Sequence, residues 1–231
     1  MVSTIIVAAG KGTRLKGEVR KQYLTIAGRP ILSHTLGAFS ACSCIDEILL
    51  VAPEKDFDFI RDRILSCVDF NKPFRLVQGG LERQDSVYQG LRALRHTGGI
   101  VVIHDGVRPL VQPEQITDCV HGAVRFGSCI MGIPVHDTLK RVDESGFIRE
   151  TVERASLWLV QTPQAFQYDL IKNAHERARK DGRKGTDDAF LVEQTGQHVK
   201  MIKGSPLNIK ITTQDDLILA ESIIKSNSLI Y

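Results

Sequence analysis

The sequence predicts an α/β protein built on a mostly parallel sheet flanked by helices. Three observations lead there. Apolar runs of four to six residues, rich in Ile and Val, recur along the chain, among them "STIIVA" (3–8), "EILLVA" (47–52) and "IVVIHD" (100–105). Each is followed by a segment with helical spacing, and strands buried on both faces read as such unbroken runs. Aromatic residues make up only 6% of the chain while glycine and aliphatics are plentiful, which suits this class better than an all-β sandwich. The 231 residues suffice for one sizeable core, so 1–231 is read as a single domain.

The elements follow in order. "STIIVA" is a strand and runs into a basic loop. "PILSHTLGAF" is a helix with Pro30 near its first turn. "EILLVA" is the next strand, "FDFIRDRILSCV" a second helix, "FRLVQGG" a strand closed by a glycine turn and "RQDSVYQGLRALR" its helix. "IVVIHD" ends in an acidic residue; "PEQITDCVHGAV" is a helix and "SCIMGIPV" a strand. From about His136 to Arg154 the helical pattern stops. Alternation in "TLKRV" and "GFIRETV" around "DESG" reads as a β-hairpin, an arm too polar to stand alone that leans on another surface, such as a second subunit. "LIKNAHERARK" and "DDAFLVEQTG" are helices, "VKMIKG" a strand, "LNIKI" an extended segment and "QDDLILAESIIKS" a closing helix.

Charge narrows the function. Thirty basic against 27 acidic residues leave a net +3, too little for a general nucleic-acid or membrane binder. No apolar run approaches the roughly 20 residues of a membrane span, and no secretory leader pattern is present. The five cysteines include no C-x-x-C pair, and Cys42-x-Cys44 is too tight for a usual zinc knuckle. All five read as ordinary thiols of a reducing cytoplasm.

Local chemistry concentrates at strand ends. Ala8, Ala9, Gly10 and Gly12 follow the first strand, where small residues let backbone N–H groups approach a ligand. Arg14 and Lys21 add positive charge beside that turn, and a polyphosphate is the simplest client. The alternative is a solvated basic loop. The pattern is neither a Walker loop nor G-x-G-x-x-G, since Leu15 stands where the third glycine belongs. Asp105 closes a buried strand and is either a metal and substrate ligand, a helix cap, or a partner for Arg108. Gly79 and Gly80 form a second turn that can reach a ring edge; Ser86 either bonds a base or caps a helix. Lys210, set among Asn and Ile residues, by itself reads as snorkelling rather than reaching into a site.

Taken together, A-A-G-x-G-T-R, K-Q-Y-L, G-G-x-E-R-x-D-S-V, H-D-x-x-R-P, P-V-x-D-T-x-K, T-V-x-R-x-x-L-W, Q-T-P-Q-x-F, T-D-D-A and N-I-K-I-T resemble the 2-C-methyl-D-erythritol 4-phosphate cytidylyltransferase family of the non-mevalonate isoprenoid pathway. The first motif is shared by sugar nucleotidyltransferases; the ordered set, from Ile5 to about Ile211, is specific. The resemblance implies a Rossmann-like nucleotidyltransferase fold, a homodimer joined through a β-arm, CTP and a small sugar-alcohol phosphate as substrates, and Mg²⁺. It implies that Arg14 and Lys21 stabilise the transition state, and that Ala8, Ala9, Gly10, Gly12, Gly79, Gly80 and Ser86 hold the nucleotide. Asp105 would serve metal and acceptor, while Arg108, Thr138, Arg154, Thr162 and Lys210 would position the acceptor, Arg154 and Lys210 also serving catalysis. Departures are Arg20 where proline is usual, "HDGVRP" for H-D-A-A-R-P, and His136 at a variable position. The nearest alternative is ribitol 5-phosphate cytidylyltransferase, against which "PVHDTLKRV" and "TVERASLW" speak. A non-catalytic nucleotide-binding module should lack one of Arg14, Lys21, Asp105 and Lys210, and all four are present.

Overall fold

The computed structural model describes residues 1–10 and 20–228. Strand β1 (Val2–Val7) leads to a small hairpin, β2 (Thr25–Ile26) and β3 (Arg29–Pro30), then to α1 (Ile31–Ala41) and β4 (Glu47–Ala52). A short helix α2 (Phe57–Phe59) precedes β5 (Phe74–Gln78), α3 (Arg83–Ala93), β6 (Ile100–Asp105), α4 (Pro113–Phe126) and β7 (Ser128–Pro134). The chain continues through β8 (Leu139–Val142), β9 (Ile148–Val152), β10 (Trp158–Gln167), α5 (Tyr168–Lys180), α6 (Asp188–Glu193), β11 (Lys200–Lys203) and α7 (Gln214–Ser228).

Seven strands form one sheet in the order β11-β7-β10-β6-β1-β4-β5. β1 pairs in parallel with β4 and β6, β4 with β5, and β7 with β11. Alternation assigns the strand side chains to two faces. Ile6, Leu50 and Val102 meet Leu36 and Phe39 of α1 and Ile116 and Val120 of α4. Ile5, Leu49 and Ile103 meet Leu91 of α3, Ile171 of α5 and Leu191 of α6. The unbroken apolar runs follow from this, because both faces of β1, β4 and β6 are covered.

Three elements depart from what local sequence suggests. Residues 57–68 do not form one regular helix. Three α-helical residues give way to wider turns over Ile60–Ile64 and tighter ones over Leu65–Cys67. Ser66 Oγ and Cys67 Sγ both donate to carbonyls four residues back, Asp62 O and Arg63 O, and such back-bonding distorts helices. The hairpin β2–β3 turns through Ala27 and Gly28, both at positive φ, within what reads as a loop. Strand β10 is unheralded. It runs antiparallel between β6 and β7, its register shifts between Val160 and Gln164, and Gln161, Thr162, Pro163 and Gln164 interrupt its apolar pattern.

Those polar residues are tolerated because each finds a distant partner. Gln164 donates to Asp187 Oδ2 at 2.8 Å and accepts the Ala189 N–H at 3.2 Å. Gln161 Nε2 donates to Ser205 O at 2.7 Å. Strands β8 and β9 form a separate two-stranded sheet within the hairpin expected from the alternation. Val142, Phe147 and Ile148 are exposed on it, as are Leu159 and Val160 at the start of β10. Among the described residues no helix is long and apolar enough to cross a membrane.

Two glycines within helices make opposite demands. A Cβ on Gly90 of α3 would stand 2.7 Å from Cγ2 of the fully buried Ile5, whereas one on Gly37 of α1 meets nothing within 4 Å. Gly90→Val is expected to lower stability by about 1–3 kcal/mol through overpacking. Gly37→Ala is expected to raise it by about 0.5–1 kcal/mol through helix propensity. Urea unfolding of both variants checks the contrast; a Gly90→Val midpoint at or above wild type would refute the close helix–sheet contact.

Candidate active site

Strand order places the site. From β1 the chain builds β4 and β5 on one side, then returns to set β6 on the other. Such a reversal leaves a crevice at the carboxyl ends of the strands. A cavity of about 520 Å³ opens there, lined by Ala8, Ala9, Gly10, Lys21, Gly79, Gly80, Ser86, Asp105 and Lys210, with Arg20, Gln22, Glu82 and Arg83.

One wall is the turn after β1. Ala8 N–H donates to Val51 O at 2.8 Å, continuing the strand pairing one residue beyond β1. Buried Gln22 then fixes the turn, donating from Nε2 to Ala8 O at 2.7 Å and Gly10 O at 3.3 Å. Arg20 donates to Gly10 O at 3.2 Å and pairs with Asp56 at 2.9 Å, so the residue in place of the usual proline braces the loop. Gly12 and Arg14 lie outside the described residues.

The facing wall is the turn after β5. A Cβ on Gly79 would stand 2.5 Å from the Ala9 Cβ, and one on Gly80 2.3 Å from the Asp85 Cβ. Glycine lets position 79 touch the facing wall and position 80 pass close to α3, without any demand on φ. Ser86 Oγ accepts the Gly80 N–H at 3.1 Å and donates to Glu82 O at 3.0 Å. Ser86 is therefore not the helix cap: α3 is capped by reciprocal bonds of Glu82 and Asp85.

The floor is an ion cluster. Asp105 Oδ1 accepts from Arg83 Nε at 3.0 Å; Oδ2 lies 2.7 Å from Lys210 Nζ and 3.9 Å from Arg108 Nε. Burial pushes the Asp105 carboxyl up, but Arg83, Lys210 and Arg108 outweigh it and hold it well below the usual carboxylate range. Arg83 also donates to Asp188 Oδ2 at 2.7 Å, whose other oxygen lies 3.0 Å from His175 Nε2. Lys210 thus reaches into the site instead of snorkelling. Asp105 is a partner of Arg108, as one reading had it, though Arg83 and Lys210 stand closer.

Beneath the floor, backbone and side chains form one directional chain. His104 Nε2 faces the Arg108 carbonyl at 3.2 Å, so that nitrogen carries the proton. Nδ1 is then an acceptor for the Thr162 hydroxyl at 3.0 Å, and Thr162 Oγ1 accepts the Asp105 N–H at 3.1 Å. Thr162 is buried in this chain and is not among the residues lining the cavity. Arg108 is also buried, donating to Asn208 O at 2.7 Å. Thr138 and Arg154 are exposed in the arm segment and do not line this chain's own cavity.

Arg83, Asp188 and Gln22 carry much of this geometry and were not singled out by sequence reasoning. Their signal was present in E-R-x-D-S-V, T-D-D-A and K-Q-Y-L, yet Arg83 meets carboxylates 22 and 105 positions away. As a metal ligand, Asp105 offers one carboxylate already shared among three cations. Among the described residues no group of three or more His, Cys, Asp or Glu is placed to hold an ion. The residues therefore fit Mg²⁺ only as one ligand in a set completed by phosphate oxygens and water.

Burial holds His104 neutral and pushes its pKa down to about 3 from 6.5. The unfolded chain binds that proton near 6.5 and the folded one does not. This contribution to stability is therefore level above 6.5 and declines as pH falls from there towards 3. In an NMR titration the His104 ring signals of the folded protein are expected to stay constant from about pH 8 to 5. An inflection near the ordinary histidine value would overturn the hydrogen-bond chain assigned above.

Comparison with known proteins gives one answer throughout. The family model IspD, 2-C-methyl-D-erythritol 4-phosphate cytidylyltransferase, matches residues 2–226. A protein of that name from Pelotomaculum thermopropionicum is 46% identical over 225 residues, covering 97% of this chain and 94% of its own. One from Caldanaerobacter subterraneus is 43% identical over 224 residues, covering 97% and 99%. The crystal structure of 4-diphosphocytidyl-2C-methyl-D-erythritol synthase from Anaerococcus prevotii superposes with a TM-score of 0.86 at 36% identity, covering 97% of this chain and 96% of that one. With its sheet, strand-end cavity and ordered motifs, the chain belongs to the 2-C-methyl-D-erythritol 4-phosphate cytidylyltransferase family.

Proposed function

We propose that the protein transfers the cytidylyl group of CTP to 2-C-methyl-D-erythritol 4-phosphate, giving 4-diphosphocytidyl-2-C-methyl-D-erythritol and pyrophosphate. The observation that carries this is the meeting, in one cavity, of two strand-end small-residue turns, Lys21, and Asp105 with its partners Arg83 and Lys210. Family membership supplies the nucleotide and acceptor. It favours the methylerythritol acceptor over ribitol 5-phosphate.

The reaction sets the physical problem. A phosphate monoester oxygen attacks the α-phosphorus of CTP. That oxygen is already anionic near neutral pH, so no general base is required. The obstacle is bringing two polyanions together in line, and fixed cations offset the repulsion. Lys21 and Arg14 hold the triphosphate and stabilise charge on the α-phosphate and the departing pyrophosphate. Gly79 and Gly80, with Ala8, Ala9, Gly10 and Ser86, form a slot narrow enough to favour a pyrimidine, and Gly12 shares the nucleotide-binding role. Lys210, with Arg108 and Thr162 behind it, positions the acceptor beside Asp105. Asp105 would hold Mg²⁺ together with phosphate oxygens, and the ion would supply positive charge against the phosphates.

The arm completes the reading. Its exposed Val142, Phe147 and Ile148, together with Leu159 and Val160 of β10, form an apolar surface suited to a second copy of the chain. In that homodimer Thr138 and Arg154 serve the partner subunit's cavity, Arg154 clamping the acceptor phosphate. A cytoplasmic enzyme with no nucleic-acid partner fits the small net charge of +3.

The deciding experiment is pyrophosphate release from CTP with 2-C-methyl-D-erythritol 4-phosphate against ribitol 5-phosphate. Turnover is expected with the first; a preference for the second would transfer the assignment to the related enzyme. Arg14→Ala and Lys21→Ala should each lower kcat by about 100-fold or more, the scale of losing one preorganised transition-state donor. A raised KM for CTP with kcat unchanged would reduce both to ground-state binders. Inactive Lys21→Ala and Arg154→Ala homodimers, mixed and allowed to exchange subunits, should recover roughly a quarter of wild-type activity, since half the dimers then hold one intact site. No recovery after verified exchange would place Arg154 in its own chain's site.

A further inference from the structure

The two cysteines of "ACSC" stand apart from this chemistry. Helix α1 ends at Ala41, and a turn closed by the Ile45 N–H on Cys42 O at 3.2 Å follows it. That turn brings Cys42 Sγ and Cys44 Sγ to 3.3 Å. The contact is within thiol–thiolate hydrogen-bond range, and the sulfurs would close by about 1.3 Å to reach disulfide length. Thr117 of α4 sits against both, 3.5 Å from Cys42 Sγ and 3.8 Å from Cys44 Sγ. Cys42 is buried and Cys44 partly exposed, so one sulfur is open to solvent and the other waits behind it. The hydrogen bond from Cys44 lowers the Cys42 thiol below its ordinary value, and the same bond raises Cys44, so the pair gives up its first proton more readily than its second. The turn precedes β4, at the amino ends of the parallel strands and opposite the end where the cavity opens.

We propose that Cys42 and Cys44 form a thiol–disulfide exchange site that takes small disulfides and closes to an intramolecular bridge. With the proton left to the pair moved onto Cys42, the exposed Cys44 thiolate attacks one sulfur of the incoming disulfide. A Cys44–S bond forms, the reagent's S–S bond breaks, and the leaving thiolate takes the proton from Cys42. The Cys42 thiolate then attacks the Cys44 sulfur, forming the Cys42–Cys44 bond and expelling the second reagent thiolate. The protein dithiol loses two electrons, and one small disulfide becomes one thiol and one thiolate. The remaining cysteines are differently placed. Cys119 and Cys129 are buried, and the Cys67 thiol bonds Arg63 O within its own helical turn.

The test treats the folded protein with oxidised glutathione, then measures intact mass and maps peptides. Wild type should lose about 2 Da with no adduct retained, and the bridge should map to Cys42–Cys44. Cys42→Ser, which lacks the resolving sulfur, should keep a glutathione adduct on Cys44; Cys44→Ser should remain unmodified at Cys42. Reduction should restore all five thiols. Wild-type protein that stays fully reduced, keeps an adduct on Cys44, or bridges any other pair overturns the proposal. The wild-type map alone decides if either variant fails to fold, and none of these readouts depends on the proposed transferase activity.

Discussion

Everything at the catalytic end is arranged around one buried carboxylate. Asp105 ends β6 with its side chain almost out of solvent, and a charge so placed costs several kcal/mol unless it is paired. The pairing comes from three separate parts of the chain: Arg83 from α3, Arg108 from the following loop and Lys210 from the segment before α7. Asp105 therefore works as a fastener. It draws the Gly79–Gly80 turn, through Arg83, and the 208–211 segment, through Lys210, onto one floor. Arg83 is fixed at its far end by Asp188, so two carboxylates hold it in place.

The sheet makes that convergence possible through a strand that looks unsuitable for a core. β10 is exposed from Trp158 to Val160 and buried from Gln161 to Phe166. Its exposed end continues the arm; its buried end carries Thr162 to the backbone of Asp105 and to His104. One strand thus joins the exposed apolar end of the arm with the floor of the cavity. Its polar residues are affordable only because Asp187, Ala189, Ser205 and Asn208 bond them. Replacing either side of such a bond would leave a buried polar group unsatisfied.

The sequence by itself determined the parallel α/β class, because β1, β4 and β6 are buried on both faces and such strands must be apolar throughout. It also indicated which turns line the cavity. Ala8–Gly10, Gly79–Gly80 and Asp105 close strands or follow them, and the ends of parallel strands are where crevices form. The alternation of "TLKRV" and "GFIRETV" was enough for the hairpin, since a two-stranded ribbon needs only local pairing. Tertiary structure decided the rest. Whether Lys210 lies along the surface or reaches Asp105 is fixed by a residue 105 positions earlier, which no local spacing reveals. Ser86 braces a glycine turn because Glu82 had already taken the helix cap. Arg83, on α3, gains its place only when β6 and α6 bring two carboxylates to it. β10 becomes a strand because its polar side chains bond partners far along the chain, and hydrogen bonds between distant residues leave no periodic mark in a sequence.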